Sequence, residues 1–217
     1  MKECWINGDI VTADYEWYYD FFGMKCTTPE HIKMDFTGAE ADEEIVVHVN
    51  SGGGMVTAGM EIYSMIAQRK NVTVLIDGIA ASAAGVLTQG ADKVLIAPVG
   101  AIMIHNVSAN VNGDYHEMER TAEELQELNR AMAGAYAQKS GRPMDEILEL
   151  MDKETWLSAE KAISYGFADA IIEPQKAEVT NTTGLSLTPE MMAQARAEKD
   201  KKEKRMKEIQ NMLDFYG

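Results

Sequence analysis

Cysteine is scarce in this 217-residue sequence, which contains only Cys4 and Cys26. Two cysteines make neither a disulfide framework nor a metal-binding cluster, so we expect two reduced thiols in a reducing compartment and no metal site. Long apolar runs are also missing. Residues 1–9 contain no stretch suited to a signal peptide, and no later run is long enough to span a bilayer. These absences predict a cytoplasmic protein that makes no membrane contact.

Basic residues are the minority among the charges. The sequence has 20 Lys and Arg against 35 Asp and Glu, and a formal net charge of -15 at pH 7. Nucleic-acid binding needs clustered basic side chains that neutralise phosphates, so nucleic acid is not an expected partner. The remaining composition, 46% apolar and 25% charged with 15 Met, is typical of a soluble globular protein with an adaptable core or interface.

Short β-rich runs alternate with helical patterns along the chain. Strands are predicted at residues 4–11, 44–49, 72–77, 93–96, 101–104 and 168–172. Residues 55–68 lie between two of these strands and carry apolar side chains at near-helical spacing. A helix between two strands is the pattern of a βαβ unit, which predicts an α/β fold with a mainly parallel sheet.

The longest predicted helix covers residues 115–139. An apolar stripe runs along it in steps of three or four residues, at Met118, Ala122, Leu125, Leu128, Met132 and Tyr136. Gly141 ends this helix, and residues 144–151 predict a second, shorter one. Ser158 is the predicted N-cap of a further helix that Gly166 stops.

Three regions are predicted from these patterns. They are a globular domain at residues 1–174, a polar linker at 175–187, and a charged helix at 188–217. Thr188 and Pro189 suit the N-cap and first turn of that helix. Its charged middle is most simply a solvated helix face, and packing on another subunit is the alternative.

A glycine-rich segment, residues 50–55, follows one predicted strand and precedes a helix. It predicts a tight turn when taken alone. Phosphate binding is the weaker interpretation, because no Lys follows as in a P-loop and the spacing does not fit a dinucleotide fingerprint. The other interpretation is that glycine lets backbone N–H groups turn toward a site and hold a developing oxyanion.

Ser82 stands among small residues, also at the end of a strand and the start of a helix. A lone Ser in such a place is usually a cap or a packing residue. As a nucleophile it would gain from the helix dipole, and the N–H of Ala83 can point at the same place.

His105 is the candidate partner of this serine. It ends an apolar strand and is therefore expected at the sheet edge where loops gather, whereas an isolated His is more often structural. The other histidines are less suited to this role. His31 and His116 have polar surroundings that indicate exposure, and His48 lies inside a strand, where it is expected to be buried or half-buried.

Acyl transfer requires a nucleophile, a base and oxyanion donors that meet at one carbonyl. The three segments, in this order, resemble the ClpP family of serine peptidases. Residues 50–54 resemble that family's Asn-Ser-Pro-Gly-Gly loop, residues 80–83 its serine segment, and residues 103–105 its Met-Ile-His segment. The resemblance extends from about Trp5 to Ile172. It implies a spiral of βαβ units, as in ClpP and crotonases, with a protruding long helix and, here, a C-terminal helical appendage.

The resemblance implies a serine endopeptidase that needs no cofactor. Ser82 would be its nucleophile and His105 its general base. The backbone N–H groups of Gly54 and Ala83 would be the oxyanion donors.

Two positions depart from the family pattern. Glu154 stands where the family has the Asp of its catalytic triad, and Asp152 is an alternative for that role. Gly52 replaces the proline of the family loop, which loosens the turn but leaves the backbone donors available.

The Glu-Thr-Trp sequence at residues 154–156, the helical tail and the lack of a long N-terminal axial segment resemble the phage branch of the family, the head maturation proteases. This implies protein or peptide substrates, such as capsid or scaffold proteins, in the bacterial cytoplasm or a phage prohead. It also implies a ring-like homo-oligomer in which the helix at residues 115–139 contacts a second ring.

Three alternative functions stay open. A housekeeping ClpP subunit would share the chemistry and have an AAA+ ATPase as its partner. An acyl-CoA enzyme of the crotonase type would share the fold and the paired backbone donors without needing a Ser–His pair. An inactive scaffold protein would keep the fold alone.

Overall fold

The computed structural model describes residues 1–40, 42–173, 193, 196–197, 199–202 and 204–205. Met1–Glu173 form one compact unit. Its described strands are β1 (Lys2–Ile10), β2 (Cys26–Thr27), β3 (Ile45–Gly54), β4 (Val72–Ala81), β5 (Lys93–Ile96), β6 (Ala101–Ile104), β7 (Thr155–Ser158) and β8 (Ala170–Ile171). Its described helices are α1 (Glu16–Phe22), α2 (Pro29–Thr37), α3 (Val56–Ala67), α4 (Ala83–Thr88), α5 (Tyr115–Ser140), α6 (Met144–Asp152) and α7 (Ala159–Tyr165), with a 3₁₀ turn at Ala13–Tyr15.

The strands form one mixed sheet that is mainly parallel. The order along it is β2-β1-β3-β4-β5-β8, and every neighbouring pair in this row is parallel. Strand β4 pairs with β5 through Thr73–Ile76 and with β6 through Ile79–Ala81. Strand β7 lies antiparallel to β6. The sheet therefore divides at β4, and β6 lies beside the carboxyl end of that strand.

The core lies between one face of this sheet and the helices. Ile45, Val47 and Val49 alternate along β3 and are fully buried, as the period of two in a strand requires. Helix α3 buries Ile62 and Ile66 against the same core. The α/β fold with a mainly parallel sheet is as predicted, and so are the helices at residues 55–68, 115–139 and 144–151, within one or two residues at each end.

The predicted helix ends have the expected local geometry. Asp114 caps α5 through the N–H groups of His116 and Glu117, and Gly141 ends it in the left-handed region. Ser158 accepts a hydrogen bond from the Lys161 N–H at the start of α7, and Gly166 ends that helix in the same region.

Several elements differ from the sequence-based expectation. The sequence patterns gave the region between the first two predicted strands as helical without bounds for α1 and α2, and they did not predict β2 or β7. The glycine-rich segment was expected to be a tight turn, but β3 continues through it to Gly54, with a register shift toward β4 between Val49 and Ser51. Irregular pairing of this kind re-aims backbone groups without ending the strand.

The two cysteines are free thiols. Cys4 is fully buried, and this burial, with a smaller contribution from the charge of Asp35, raises the pKa of its thiol to about 12. Burial likewise raises the pKa of the half-buried Cys26 thiol. Neither thiol is activated as a nucleophile.

The chain forms a second unit, Pro174–Gly217. Its described residues, between 193 and 205, are helical and exposed. The predicted linker at 175–187 lies outside the described residues, so the division at 174 and 187 stays a prediction. In the described parts of the chain, none of the helices has the length and apolar character needed to cross a bilayer.

Candidate active site

Ser82 lies at the junction of β4 and α4, as the N-cap of that short helix. Its backbone has φ 55° and ψ -125°, and a positive φ is costly for any residue with a side chain. Its N–H donates to the carbonyl oxygen of Met103 on β6 at 2.9 Å. The strained turn therefore presents the Ser82 side chain beside the end of β6.

His105 follows β6 directly. The parallel pairing of Ala81 with Met103 places the ends of β4 and β6 side by side. The half-buried His105 ring brings its Nε2 to 2.7 Å from Ser82 Oγ, which is a hydrogen bond. The structure thus brings together the two residues that the sequence analysis selected from separate segments.

The glycine segment passes close to this pair. Gly53 has φ 99°, and a Cβ atom there would lie 2.8 Å from Ser82 Cβ and 3.1 Å from the Ala83 nitrogen. Both distances are too short for a side chain, so only glycine leaves space beside Ser82 and in front of the Ala83 N–H. That N–H is in the first turn of α4, where helix geometry supplies no internal acceptor.

Ser51 holds the segment in place. Its hydroxyl donates to the Gly8 carbonyl oxygen at 2.6 Å and accepts from the Gly53 N–H at 3.1 Å. Because the Gly53 N–H is already bonded, the neighbouring N–H of Gly54 is the better candidate for a donor to substrate. Gly54 itself has φ 151° and packs too tightly on Ile10 for any side chain.

The candidate acids form no hydrogen bond or ion pair with the His105 ring. Within the described part of the chain, the side chain of Glu154 makes no hydrogen bond or ion pair, and His105 bonds only Ser82. Asp152 Oδ1 instead accepts from Asn106 Nδ2 at 2.8 Å. Glu154 is exposed and has a left-handed backbone with φ 46°.

Two residues of the site were missed by the sequence analysis. Asn106 follows His105 and binds Asp152, and the next N–H, that of Val107, donates to Asn129 Oδ1 of α5 at 2.7 Å. The position of Asn106 beside the candidate base was a usable signal. Asn129 was beyond prediction, because its contact depends on how α5 packs.

The other three histidines have structural contacts. His48 is half-buried, as expected, pairs with Asp77 at 2.8 Å and stacks on Trp5 with ring centroids 5.3 Å apart. His116 is exposed, as expected. His31 was expected to be exposed but is half-buried, because its ring takes part in the capping box of α2 and bonds Glu16.

Comparisons with known proteins show the family of this chain. The Clp protease family model matches residues 33–175, which is more than half of the chain. An ATP-dependent Clp protease proteolytic subunit of Pleurastrum terricola is 36% identical over 132 residues, which cover 59% of this chain and 67% of that protein. The region matched by the family model contains the glycine segment, Ser82, His105 and both candidate acids. The chain belongs to the Clp protease family.

Proposed function

We propose that the protein is a serine endopeptidase in which Ser82 is the nucleophile and His105 the general base. The observation that carries this proposal is the 2.7 Å hydrogen bond between His105 Nε2 and Ser82 Oγ. A serine hydroxyl becomes a useful nucleophile when an adjacent imidazole can take its proton. Family membership supports peptidase chemistry.

The reaction follows from the positions of these groups. Ser82 Oγ attacks the peptide carbonyl carbon while His105 Nε2 takes the hydroxyl proton. The N–H groups of Gly54 and Ala83 stabilise the oxyanion that forms. His105 then gives its proton to the leaving amine, the C–N bond breaks, and an ester to Ser82 remains. Water attacks this ester with His105 again as base, which releases the carboxylate product and restores Ser82.

We assign the role of the acid that orients the His105 imidazole to Glu154. In the antiparallel pairing of β6 and β7, Met103 is opposite Trp156 and Ile104 is opposite Thr155. The pairing ends there, and Glu154 immediately precedes Thr155 as His105 immediately follows Ile104. The Glu154 carboxylate has no other partner in the described part of the chain, whereas that of Asp152 is bound to Asn106. A rotation of the Glu154 side chain would let it orient the imidazole.

The natural substrate distinguishes two versions of this function. We propose processing of phage capsid or scaffold proteins, on the resemblance of residues 154–156 and of the tail to the phage branch. The second version is an ATP-dependent subunit, and it is favoured by the relative from Pleurastrum terricola, whose name states that role. Purified protein that degrades a folded substrate only with an added AAA+ unfoldase would support the second version.

Fluorophosphonate labelling, read by intact mass, tests the chemistry. We expect one adduct on the wild-type protein, none on Ser82→Ala, and strongly slowed labelling of His105→Ala. Cleavage of casein should fall by about 10⁴-fold or more in both variants. Ser64→Ala is the matched control, because Ser64 Oγ is exposed on α3 and bonds only the Met60 carbonyl oxygen.

The oligomeric state is measured on the same samples by light scattering. Absence of labelling in every assembly state would contradict the proposal and favour an inactive scaffold or an acyl-CoA enzyme. Labelling of Ser82→Ala at the wild-type rate would show that another residue is the nucleophile.

A further inference from the structure

Helix α1 exposes an unusual number of large apolar side chains. None of its seven residues is buried. Together with its flanking residues it presents six exposed side chains, at Tyr15, Trp17, Tyr18, Phe21, Phe22 and Met24, with Trp17 69% exposed. We call these six residues the aromatic patch. Contiguous exposed apolar surface on a soluble protein usually marks an interaction site.

The patch is continuous and is not needed to anchor the helix. Tyr18 and Phe22 have ring centroids 4.8 Å apart, and Phe21 and Phe22 are 5.0 Å apart. Polar contacts attach α1 instead. Tyr19 Oη donates to Asp9 at 2.8 Å, and Glu16 bonds His31 of α2 at 2.8 Å. These polar contacts attach the helix, and the side chains of the aromatic patch stay exposed.

The residues just before the patch lie next to the glycine segment. The Met55 N–H donates to the Ile10 carbonyl oxygen at 2.7 Å, and Thr12 Oγ1 lies 3.8 Å from Met55 Sδ. Met55 directly follows Gly54, the proposed oxyanion donor. Because the carboxyl ends of parallel strands share one edge of a sheet, the chain that leaves β1 enters α1 on the same edge as Ser82.

The charges around the patch select the class of ligand. Residues 13–25 include Asp14, Glu16 and Asp20 against one basic residue, the exposed Lys25, so acidic side chains predominate. Glu16 is paired with His31, whereas Asp14 and Asp20 are exposed. Carboxylates beside aromatic faces attract Lys and Arg through charge and cation–π contacts. The same charges repel phosphates and anionic lipid.

We propose that the aromatic patch is a substrate-binding surface that holds basic, apolar segments of an unfolded polypeptide beside the active site. This inference rests on the proposed peptidase function for its biological meaning. Binding would raise the local concentration of such segments near Ser82 and extend recognition beyond the residues flanking the cleaved bond.

Peptide binding without turnover tests the inference. Two fluorescein-labelled peptides share one sequence of Phe, Leu and Gly, and one carries four Lys where the other carries four Glu. Binding to Ser82→Ala protein is measured by fluorescence anisotropy. We expect the Lys peptide to bind at least tenfold more tightly than the Glu peptide. Adding Trp17→Ser and Phe21→Ser to this protein should raise the Kd of the Lys peptide tenfold or more. Met34→Ser is the matched control, because Met34 is 66% exposed on α2.

Two outcomes would overturn the inference. Equal Kd values for the patch variant and the control would show that the patch does not hold the peptide. A lower assembly mass for the patch variant in light scattering would make the patch a contact between copies. Fluorophosphonate labelling of the wild-type protein is measured in parallel. Its failure, together with tight binding of the Lys peptide, would remove the peptidase function and leave the binding surface.

Discussion

Gly53 has no side chain, and the space where one would lie borders Ser82 and Ala83. A Cβ atom there would be 2.7 Å from the Ala81 carbonyl oxygen and 3.1 Å from the Ala83 nitrogen. The first contact is with backbone, which cannot move aside as a flexible side chain would. The reactivity of the site is therefore tied to this one position in the glycine segment.

We expect Gly53→Ala to lower kcat/KM by about 10²-fold or more, because the methyl group would block or displace an oxyanion donor. Cleavage of a fluorogenic peptide measures the loss, and thermal unfolding reports whether the fold persists. Gly52→Ala is the matched control, since nothing lies within 4 Å of the added Cβ at Gly52. Similar kinetics for the two variants would contradict the proposed oxyanion geometry.

At the residue scale, we expect different losses of kcat when each of the two candidate acids is replaced by its amide. Glu154→Gln should lower kcat by about 10² to 10⁴-fold with little change in KM, because an imidazole without its carboxylate is poorly oriented. Asp152→Asn should cost less than about tenfold. Its side-chain carbonyl oxygen can still accept the hydrogen bond from Asn106.

Steady-state kinetics of the two variants separate these roles. A loss in kcat that is as large for Asp152→Asn as for Glu154→Gln would transfer the acid role to Asp152. Unchanged kinetics for both would mean that His105 acts without a carboxylate.

At the scale of elements, the contact between α3 and α4 positions the backbone that follows the nucleophile. A Cβ atom at Gly59 of α3 would lie 2.8 Å from Ala83 Cβ at the start of α4. Glycine therefore permits the close approach of the two helices. Because Ala83 carries a proposed oxyanion donor, packing between these helices affects both stability and activity.

We expect Gly59→Ala to lower the free energy of unfolding by about 1–3 kcal/mol through overpacking, and to lower kcat as α4 shifts. Gly134→Ala in the middle of α5 is the control, because its Cβ would lie 4.0 Å from Met144 Cε and meet no closer contact. There the higher helix propensity of alanine should stabilise the protein by about 0.5–1 kcal/mol. Chemical denaturation measures the free energy of unfolding of both variants. If Gly59→Ala stabilised the protein as much as Gly134→Ala, α3 and α4 would not be closely packed at Gly59.

At the scale of the whole molecule, α5 extends well beyond the core. Its buried residues are confined to the second half, at Met132, Ala133, Ala135 and Tyr136. Among the described residues, the first half of the predicted apolar stripe is covered little: Met118 and Ala122 are exposed, and Leu125 and Leu128 are half-buried. This half of the stripe fits the contact between rings that the family resemblance implies.

Leu125→Glu should therefore reduce the mass of the assembly to about half, since a contact between two equal rings would be lost. Arg130→Glu introduces a carboxylate at an exposed position about 140° around α5 from Leu125 and should leave the mass unchanged. Light scattering coupled to size exclusion measures both. An unchanged mass for Leu125→Glu would exclude this stripe as the contact between rings.

Regular patterns in the sequence predicted the elements whose cause is local. The α5 stripe and its end at Gly141 depend on neighbouring residues, so they are visible in the sequence. Helix α1 received no bounds of its own because its aromatic residues bury nothing and follow no apolar period. Strand β7 was missed because four residues gain their strand geometry only by pairing with β6.

The sequence by itself determined the α/β fold class, the free thiols and the three segments that carry chemistry, since these depend on residue type and short spacing. Only the tertiary structure decided that Ser82 and His105 lie in contact, because their 23-residue separation is closed by the pairing of β4 and β6. It also decided that Gly53 leaves the Ala83 N–H open and that Asp152 binds Asn106 instead of His105. Such distances arise from long-range packing, which no local pattern records.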